Sequence, residues 1–507
     1  MRKTLPSQRS AYHFLRLVVV VLAVLPIVYA QPATQSTDSL LGKWRGEAGT
    51  ADNRAVFGFE FIRDGEGLVN ASYYQDNMGY AGVNLGTVKV SAVSTFEIPD
   101  AEIKLTLDGQ RLHAAGLLGE AGALVEFARA DSLPIAMPMP DVPAGAAPRW
   151  QQRLGGAIYA TVAVHDDVVY VGNTDGVFYA VKLADGAIAW TFAAGRPIYG
   201  EALATADAIY VVCDNGYLYR LDRASGKVRW RYDLGDSRVS RIPPNPKVFD
   251  YDRQSPRPVL KDDVIYVGSG DGHFHAVRAT TGKRVWRVGT VGKIRTAAVI
   301  DGTNVIFATI HNAGGGVIHA VNRLTGKRVW RYDAKAPVTT VPAIAGDILI
   351  VGTRGANTRL LGLDAKSGSV KWSQYYWGSW VESEAVISGD SVYMGSGDLF
   401  AVSAIDPAIG RNRWRTNVHG WVLARVAVTN DFVYAGVSSA RRHADTTSRQ
   451  VASLTKLNRH TGDIVSRWPM PEWPGAFLNG FVAAPVVVGK QLVIGGVNGA
   501  LTAFDVN

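Results

Sequence analysis

Apolar and polar residues alternate with a period of two along most of the chain after residue 150. The apolar positions hold mainly Val, Ile, Leu and Tyr, as in Ile209–Val212 and Tyr217–Leu221, and short glycine-containing turns separate these runs. Alternation of this kind predicts β-strands, because an amphipathic helix would place its apolar residues at i, i+3, i+4 and i+7. The pattern therefore predicts an all-β protein built from many short strands.

One phrase of this pattern is repeated. Two strands joined by a turn such as Asp-Asn-Gly are followed by a turn such as Ser-Gly and a third strand that contains Trp, and successive tryptophans lie 40 to 56 residues apart. A unit of about 40–45 residues made of short strands is typical of one four-stranded propeller blade. We interpret eight tryptophans as structural repeat residues, the last of them in a looser copy: Trp150, Trp190, Trp230, Trp286, Trp330, Trp372, Trp414 and Trp468.

The two ends of the repeat region complement each other. The last copy, Leu492–Asn507, stops before its Trp-containing strand, whereas Trp150 has no copy in front of it. We therefore predict that the strand around Trp150 completes the last blade. This pairing of N-terminal and C-terminal strands would close an eight-bladed β-propeller and leave no free sheet edge at the junction.

The phrase A-x-D-x-x-[ST]-G-x-x-x-W resembles the tryptophan-docking repeat of pyrroloquinoline-quinone-like (PQQ-like) eight-bladed propellers. That family includes the propeller lipoprotein of the outer-membrane barrel-assembly complex and, more distantly, the quinoprotein alcohol dehydrogenases. The resemblance covers residues 150–507. It implies the fold, and because the repeat forms the scaffold it does not by itself imply an activity.

Four segments are predicted along the chain: a signal peptide at 1–30, a small β-domain at 38–130, a Pro-rich linker at 131–148 and the propeller at 149–507. A basic start and an apolar run of 14 residues, too short for a membrane span, are typical of secretion. We expect a secreted, periplasmic protein without a transmembrane span after cleavage; an uncleaved anchor is the alternative. No Cys follows the apolar run, which departs from the lipoprotein pattern.

The β-domain shows alternating runs such as Val56–Ile62 and Ile103–Leu107, which predict a small antiparallel β-barrel or sandwich. We expect it to act as a spacer or docking module, with a ligand-holding barrel as the alternative. The single Cys213 excludes an intrachain disulfide and is interpreted as a small residue beside a turn. The formal charge of +9 would fall to about +5 on cleavage, too little for so long a chain to indicate nucleic-acid binding.

Residues that lead into the innermost strand of each blade are expected to surround one mouth of the central channel. Aromatic side chains together with Arg are typical of binding surfaces. The alternative is that the tryptophans cover the blade tops and that the charges pair across a wet channel. The candidates for ligand or partner binding are Tyr159, Tyr199, Glu201, Arg295, Thr339, Glu382, Glu384 and Arg425, with Trp377, Trp380, Trp421 and Trp473 in the loops.

The sequence predicts no catalytic residue, no metal site and no cofactor. Quinoprotein dehydrogenases hold PQQ with Ca²⁺, and many place a vicinal Cys pair against the quinone; such a pair is impossible here, and no C-x-x-C-H haem motif occurs. His273 and His275 share a strand face but lack further metal ligands in the sequence around them. We expect a non-catalytic binding or assembly scaffold of the cell envelope for a protein partner or small ligand. The alternatives are a PQQ-dependent alcohol or sugar dehydrogenase and an envelope sensor that docks through its β-domain.

Overall fold

The computed structural model describes residues 36–51, 53–78, 80–101, 103–115, 124–134, 139–238, 255–311, 314–354, 358–376, 379, 381–440, 450–471 and 478–506. These residues form strands and four short 3-10 helices, at Thr37–Leu40, Asp76–Met78, Pro99–Ala101 and Asp236–Arg238. The predicted signal peptide lies outside the described residues. Two compact units divide the chain, with the division between Met139 and Pro140.

The N-terminal unit is one antiparallel sheet of nine strands that forms a nearly closed, barrel-like domain, as the alternating pattern predicted. Its order is β4-β3-β2-β1-β9-β8-β7-β6-β5. The core is aromatic, with Trp44, Phe59 and Phe127 almost fully buried. The strands are β1 Gly42–Thr50, β2 Asn53–Arg63, β3 Val69–Gln75, β4 Tyr80–Thr87, β5 Lys89–Ala92, β6 Thr95–Ile98, β7 Ile103–Asp108, β8 Arg111–Ala115 and β9 Leu124–Arg129.

The second unit is an eight-bladed propeller, which confirms the predicted fold. Each blade is an antiparallel sheet in which the first strand lies innermost and the fourth outermost. The first four blades comprise β11 Ala163–His165, β12 Val168–Gly172, β13 Val177–Lys182 and β14 Ile188–Ala193; β15 Leu203–Ala204, β16 Ala208–Val212, β17 Tyr217–Asp222 and β18 Val228–Asp233; β19 Val259–Lys261, β20 Val264–Gly268, β21 His273–Arg278 and β22 Arg284–Gly289; β23 Val299–Asp301, β24 Asn304–Ala308, β25 Val317–Asn322 and β26 Arg328–Asp333.

The remaining blades repeat this arrangement, with one extra strand in blade 7 and a composite blade 8. Strand β39 of blade 7 pairs with β36. The strands are β27 Ala343–Ala345, β28 Ile348–Gly352, β29 Arg359–Asp364 and β30 Val370–Tyr375; β31 Val386–Ser388, β32 Ser391–Gly395, β33 Ala401–Ile405 and β34 Asn412–Asn417; β35 Ala427–Val428, β36 Phe432–Ala440, β37 Ser453–Asn458, β38 Ile464–Pro469 and β39 Leu478–Gly480; β40 Val486–Val488, β41 Gln491–Gly495 and β42 Ala500–Asp505, with β10 Trp150–Arg153.

Blade 8 is closed by β10, the strand that precedes all the other blades. Its order is β10-β42-β41-β40, with Trp150 opposite Ala503 and Arg153 opposite Ala500. The predicted closure between the first and last strands of the propeller is confirmed. Because β10 supplies the outermost strand, the two distant chain segments must fold together before blade 8 is complete.

Adjacent blades are joined by tryptophans on the outermost strands. At seven joints the indole N–H donates a hydrogen bond of 2.8 to 3.0 Å to a carbonyl in the turn of the next blade. The turn glycine lets the ring approach: a Cβ added at Gly226, where φ is +70°, would lie 2.5 Å from the Trp190 ring. The pairs are Trp150–Leu183, Trp190–Arg223, Trp230–Ala279, Trp286–Arg323, Trp330–Ala365, Trp372–Pro407 and Trp414–Arg459.

The joint between blades 7 and 8 differs, and it corrects the position given to Trp468. In β38 the residue opposite Lys456 is Ser466, whereas in blade 2 the residue at the matching position, opposite Arg220, is Trp230. Trp468 therefore lies two residues beyond the repeat position. It packs instead against Phe481 and Phe504, with ring centroids 6.1 and 5.0 Å away.

Cys213 is buried in the joint between blades 1 and 2. Its thiol donates a hydrogen bond of 3.2 Å to the carbonyl of Arg196. Burial raises the pKa of the thiol to about 11, so the reactive thiolate is scarce at neutral pH. The side chain has the structural character that the sequence predicted for it.

Candidate functional site at the channel mouth

The loops that lead into the innermost strands carry the predicted candidates, because each innermost strand begins at the same face of the ring. Tyr159 precedes β11, Tyr199 and Glu201 precede β15, Arg295 precedes β23, Thr339 precedes β27, Glu382 and Glu384 precede β31, and Arg425 precedes β35. Trp421 lies in the loop before β35 as well. The other three tryptophan candidates, Trp377, Trp380 and Trp473, lie outside the described residues.

Four charged residues meet across the channel, and we call Glu201, Arg257, Glu384 and Arg425 the channel clasp. Arg257 donates to Glu201 at 2.8 Å and to Glu384 at 3.1 Å. Arg425 reaches the two carboxylates at 2.7 and 3.2 Å, and its second nitrogen contacts Glu201 at 3.0 Å. Since these residues precede blades 2, 3, 6 and 7, the clasp connects opposite sides of the ring.

The clasp is balanced in charge and largely withdrawn from water. Its four side chains are 17 to 25% exposed. Burial would raise the pKa of Glu201, but the guanidiniums of Arg257 and Arg425 outweigh burial and hold that pKa below its ordinary value. Glu201 therefore stays ionised at neutral pH, and both of its oxygens accept hydrogen bonds from the protein's own arginines.

Arg257 was not among the predicted site residues, because it lies in a polar insertion, residues 236–258, that contains no copy of the repeat. The segment that carries it passes close to the mouth of blade 2: a Cβ added at Gly200 would lie 3.1 Å from the Ser255 side chain. One signal was present in the sequence, the Pro256-Arg257-Pro258 triplet. Two flanking prolines restrict the backbone conformation and so limit the positions from which the arginine side chain can extend.

Two further candidates pair with residues that the sequence did not single out. Arg295 forms a buried ion pair with Asp236, the first residue of the same insertion. Glu382 lies 3.8 Å from Arg354, which follows β28. Both pairs join loops of neighbouring blades, so the charged residues of the mouth form a network rather than a row of separate groups.

The described aromatic candidates occupy fixed positions at this face. Tyr159 and Tyr199 make an edge-to-face contact with ring centroids 5.6 Å apart. The indole N–H of Trp421 donates a hydrogen bond of 3.0 Å to Asp398, and the Trp421 backbone exchanges two hydrogen bonds of 2.8 Å with Ser438. The two tyrosines are half-buried and Trp421 is buried, so the tyrosines offer the more accessible aromatic surface.

The donor set at the mouth does not fit a calcium-held quinone. Ca²⁺ requires six to eight oxygen ligands, whereas the carboxylates of Glu201 and Glu384 are engaged by arginines and Glu382 lies beside Arg354. Within the described ranges no group of three or more His, Cys, Asp and Glu residues is placed to hold a metal ion. A cation at this position would first have to displace guanidinium groups.

Comparison with known proteins agrees with the fold. The family model described as outer membrane protein assembly factor BamB matches four overlapping segments, 143–287, 214–384, 277–419 and 376–507. No curated protein sequence matches the chain. The described part of the chain contains no helix that is both long and apolar enough to cross a bilayer.

Solved structures with the same fold include natural and designed proteins. The computationally designed Ika8 protein has a TM-score of 0.54 at 13% identity, covering 71% of this chain and 100% of its own. Quinohemoprotein alcohol dehydrogenase from Comamonas testosteroni has a TM-score of 0.55 at 15% identity, covering 71% and 76%. BamB from Moraxella catarrhalis has a TM-score of 0.45 at 20% identity, covering 66% and 90%. At 13% and 15% identity, the likeness to the Ika8 protein and to the alcohol dehydrogenase concerns the fold alone.

Proposed function

Because the chain belongs to the family described as outer membrane protein assembly factor BamB, we propose that it is a non-catalytic binding scaffold of the cell envelope. It would be secreted to the periplasm and would hold an envelope protein, or a small ligand, against the channel-mouth face. The binding candidates are the residues around the channel clasp. Of the described aromatic ones, Tyr159 and Tyr199 present the more accessible surface.

The channel clasp is the observation that carries this proposal. Acid–base catalysis needs a group that can gain or lose a proton near the working pH, and Glu201 is held ionised between Arg257 and Arg425. Because the four charged groups of the clasp pair with one another, they hold the channel mouth in one conformation. A preorganised surface loses little conformational entropy when a partner binds, which favours a scaffold over a reaction centre.

We propose no cofactor for this function. PQQ with Ca²⁺ belongs only to the alternative dehydrogenase function, and it would require the arginines of the clasp to leave the carboxylates that they contact. The role proposed for the β-domain is that of a spacer or docking module.

Cross-linking in isolated cell envelopes tests the proposed surface. The Tyr159→Ala/Tyr199→Ala variant is expected to lose the cross-linked partner that the unmodified chain captures, because buried aromatic contacts contribute much of the binding energy at interfaces. Tyr332→Ala serves as the control, since it removes a half-buried tyrosine from the outermost strand of blade 4 instead of from the mouth. Equal capture by all three proteins would contradict a partner site at the mouth.

Adding PQQ and Ca²⁺ to the purified protein tests the dehydrogenase alternative. The scaffold function predicts no bound chromophore after gel filtration and no dye-linked oxidation of alcohols or sugars. A stoichiometric chromophore with turnover would replace the scaffold proposal by the dehydrogenase.

A further inference from the structure

Positive charge is concentrated in three adjacent blades. Residues 203–333, which form blades 2 to 4, contain 21 Lys and Arg against 12 Asp and Glu, and their net charge of +9 equals that of the whole chain. The remainder of the chain is therefore balanced. A charge this uneven creates a directional electrostatic field around the propeller.

Part of the excess positive charge lies at or beside the outermost strands of these blades, at the same two positions in each repeat. One residue after the turn glycine each blade has a lysine, and one residue after the tryptophan each has an arginine. These six side chains are exposed. Because the blades repeat around the ring, the six cations form two parallel rows on the outer wall: Lys227, Lys283 and Lys327 in one row, and Arg231, Arg287 and Arg331 in the other.

Blades 3 and 4 lack an ion pair that blades 5 and 6 have, and each carries an additional arginine. In blades 5 and 6 the residue just before the tryptophan, Lys371 or Arg413, pairs with the aspartate of the turn at 3.5 and 3.4 Å. In blades 3 and 4 that residue is a valine, the turn aspartate is replaced by Arg278 or Asn322, and an arginine stands one position earlier. The two added arginines are Arg284 and Arg328, both exposed.

These eight residues form what we call the cationic arc: Lys227, Arg231, Lys283, Arg284, Arg287, Lys327, Arg328 and Arg331. Within the described ranges, no carboxylate lies within ion-pair distance of any of them. Their field reaches a neighbouring histidine: burial, together with the charges of Arg331 and Arg328, lowers the pKa of His319 to about 4. The arc is thus a positive surface whose cations form no ion pair among the described residues.

Each strand of the arc also exposes one β-branched apolar residue between its cations. Val228, Val285 and Val329 are 45%, 41% and 49% exposed. Long lysine and arginine side chains can lay their methylene stems along an apolar surface while their charged ends reach phosphate groups. The arrangement is a broad wall of repeated cation–valine–cation strands, and such a surface suits a sheet of phosphates better than a single anion.

We propose that the cationic arc is a docking surface for an anionic phospholipid membrane. Each lysine or arginine near such a surface contributes about 1 kcal/mol of attraction, and salt screens this attraction. The exposed valines would rest at the level of the headgroups. The proposal concerns the outer wall of blades 2 to 4 and does not depend on which partner the channel mouth holds.

Sedimentation with lipid vesicles tests this proposal directly. The full-length protein is expected to bind vesicles of phosphatidylglycerol and phosphatidylcholine, to ignore pure phosphatidylcholine, and to be released by 0.5 M salt, roughly three times the physiological ionic strength. The Arg231→Gln/Arg287→Gln/Arg331→Gln variant should bind roughly a hundredfold more weakly, since three contacts at about fivefold each are lost.

A charge-matched variant separates the arc from net charge. Lys366→Gln/Lys371→Gln/Arg411→Gln removes the same number of positive charges from exposed positions in blades 5 and 6 and should leave vesicle binding within about twofold. The proposal would be overturned by wild-type protein that does not bind the anionic vesicles. It would equally be overturned by binding to pure phosphatidylcholine, or by equal losses in the two triple variants. The mouth variant Tyr159→Ala/Tyr199→Ala should bind vesicles normally, which keeps this test independent of the partner test.

Discussion

The joint between blades 7 and 8 is held by different contacts from the other seven joints of the propeller. At the seven docked joints an indole N–H bonds to a turn carbonyl of the next blade, whereas between blades 7 and 8 Trp468 only packs on Phe481 and Phe504. The cause lies in the chain path. Blade 8 takes β10 as its outermost strand, so it has no third turn whose carbonyl could accept the bond. A tryptophan can therefore dock only onto a blade whose third and fourth strands are joined by a turn. At the joint onto blade 8, which lacks that turn, aromatic packing takes the place of the hydrogen bond.

Removing the tryptophan that docks the closing strand tests whether this strand matters more than an interior one. Trp150→Ala should destabilise the protein by about 3–4 kcal/mol through lost burial and the cavity left behind. Trp330→Ala removes an equivalent, more buried tryptophan from an interior joint, but β26 remains tethered to its own blade by continuous chain. We expect the lower melting temperature for Trp150→Ala, measured by calorimetry. Equal melting temperatures would remove the special role of the closing strand.

Two contacts of the channel clasp, Arg425–Glu201 and Arg257–Glu384, join blades that no tryptophan connects. Arg425→Met should lower the free energy of unfolding by about 2 kcal/mol, less than for a fully buried pair because the side chains remain partly exposed. Arg413→Met breaks an exposed pair with Asp390 and should cost less than about 0.5 kcal/mol. Urea unfolding of both variants measures the difference, and matching midpoints would mean that the clasp adds nothing to the stability of the ring.

Acid should destabilise the propeller through His275, which is buried, and His319, which is half-buried. Burial lowers the pKa of His275 and of His319 to about 4, below the value of 6.5 for the free side chain. The unfolded chain therefore takes up these protons first, so stability is complete above about pH 6.5 and falls as the pH drops toward 4. We expect a loss of about 1–2 kcal/mol for each histidine between pH 6.5 and pH 5.

The variant His319→Phe sharpens this pH test. His319 stacks on Phe307 with centroids 5.2 Å apart, so phenylalanine can keep the stacking contact without a titratable group. The slope of unfolding free energy against pH should become shallower in the variant. An unchanged slope between pH 6.5 and pH 5 would show that His319 is not one of the groups responsible.

The smallest expected difference compares the indole N–H at the two kinds of joint. Trp414→Phe leaves the carbonyl of Arg459 without its donor and should cost about 1–2 kcal/mol. Trp468→Phe keeps an aromatic ring beside Phe504 and should cost less than about 1 kcal/mol. If the two substitutions cost the same, the hydrogen bond contributes nothing at the docked joints.

Local pattern predicted most of the fold because each blade is encoded by a short, continuous phrase. The alternation of apolar and polar residues predicted the strands, and the repeated turn glycine and tryptophan predicted the blades. The incomplete copies at Trp150 and at Leu492–Asn507 predicted the closure of the ring. The shifted position of Trp468 could also have been predicted from its distance in sequence from the turn glycine. Trp468 lies six positions after Gly462, whereas Trp230 lies four positions after Gly226, and this difference of two is the shift seen in β38.

The candidate site was less predictable because its contacts cross the ring. Sequence placed Glu201, Glu384 and Arg425 at one mouth, but only three-dimensional closure brings the first of them to the other two, which lie about half the chain of the propeller away. Arg257 was hidden in an insertion without a repeat to align it. Pairing partners such as Asp236 and Arg354 were likewise invisible, since long-range ion pairs leave no periodic trace in a sequence.

A disulfide between β10 and β42 tests the central claim most directly. Gln151 and Thr502 lie opposite each other, with their side chains hydrogen-bonded at 3.1 Å. In a Cys213→Ser background, Gln151→Cys/Thr502→Cys should oxidise to a bridge and raise the free energy of unfolding by up to about 5 kcal/mol, because the bridge closes a very long loop. Gln151→Cys/Ser373→Cys, with its second cysteine in blade 5, should keep free thiols. Two unoxidised thiols in the first variant would contradict the closure of the ring by these strands.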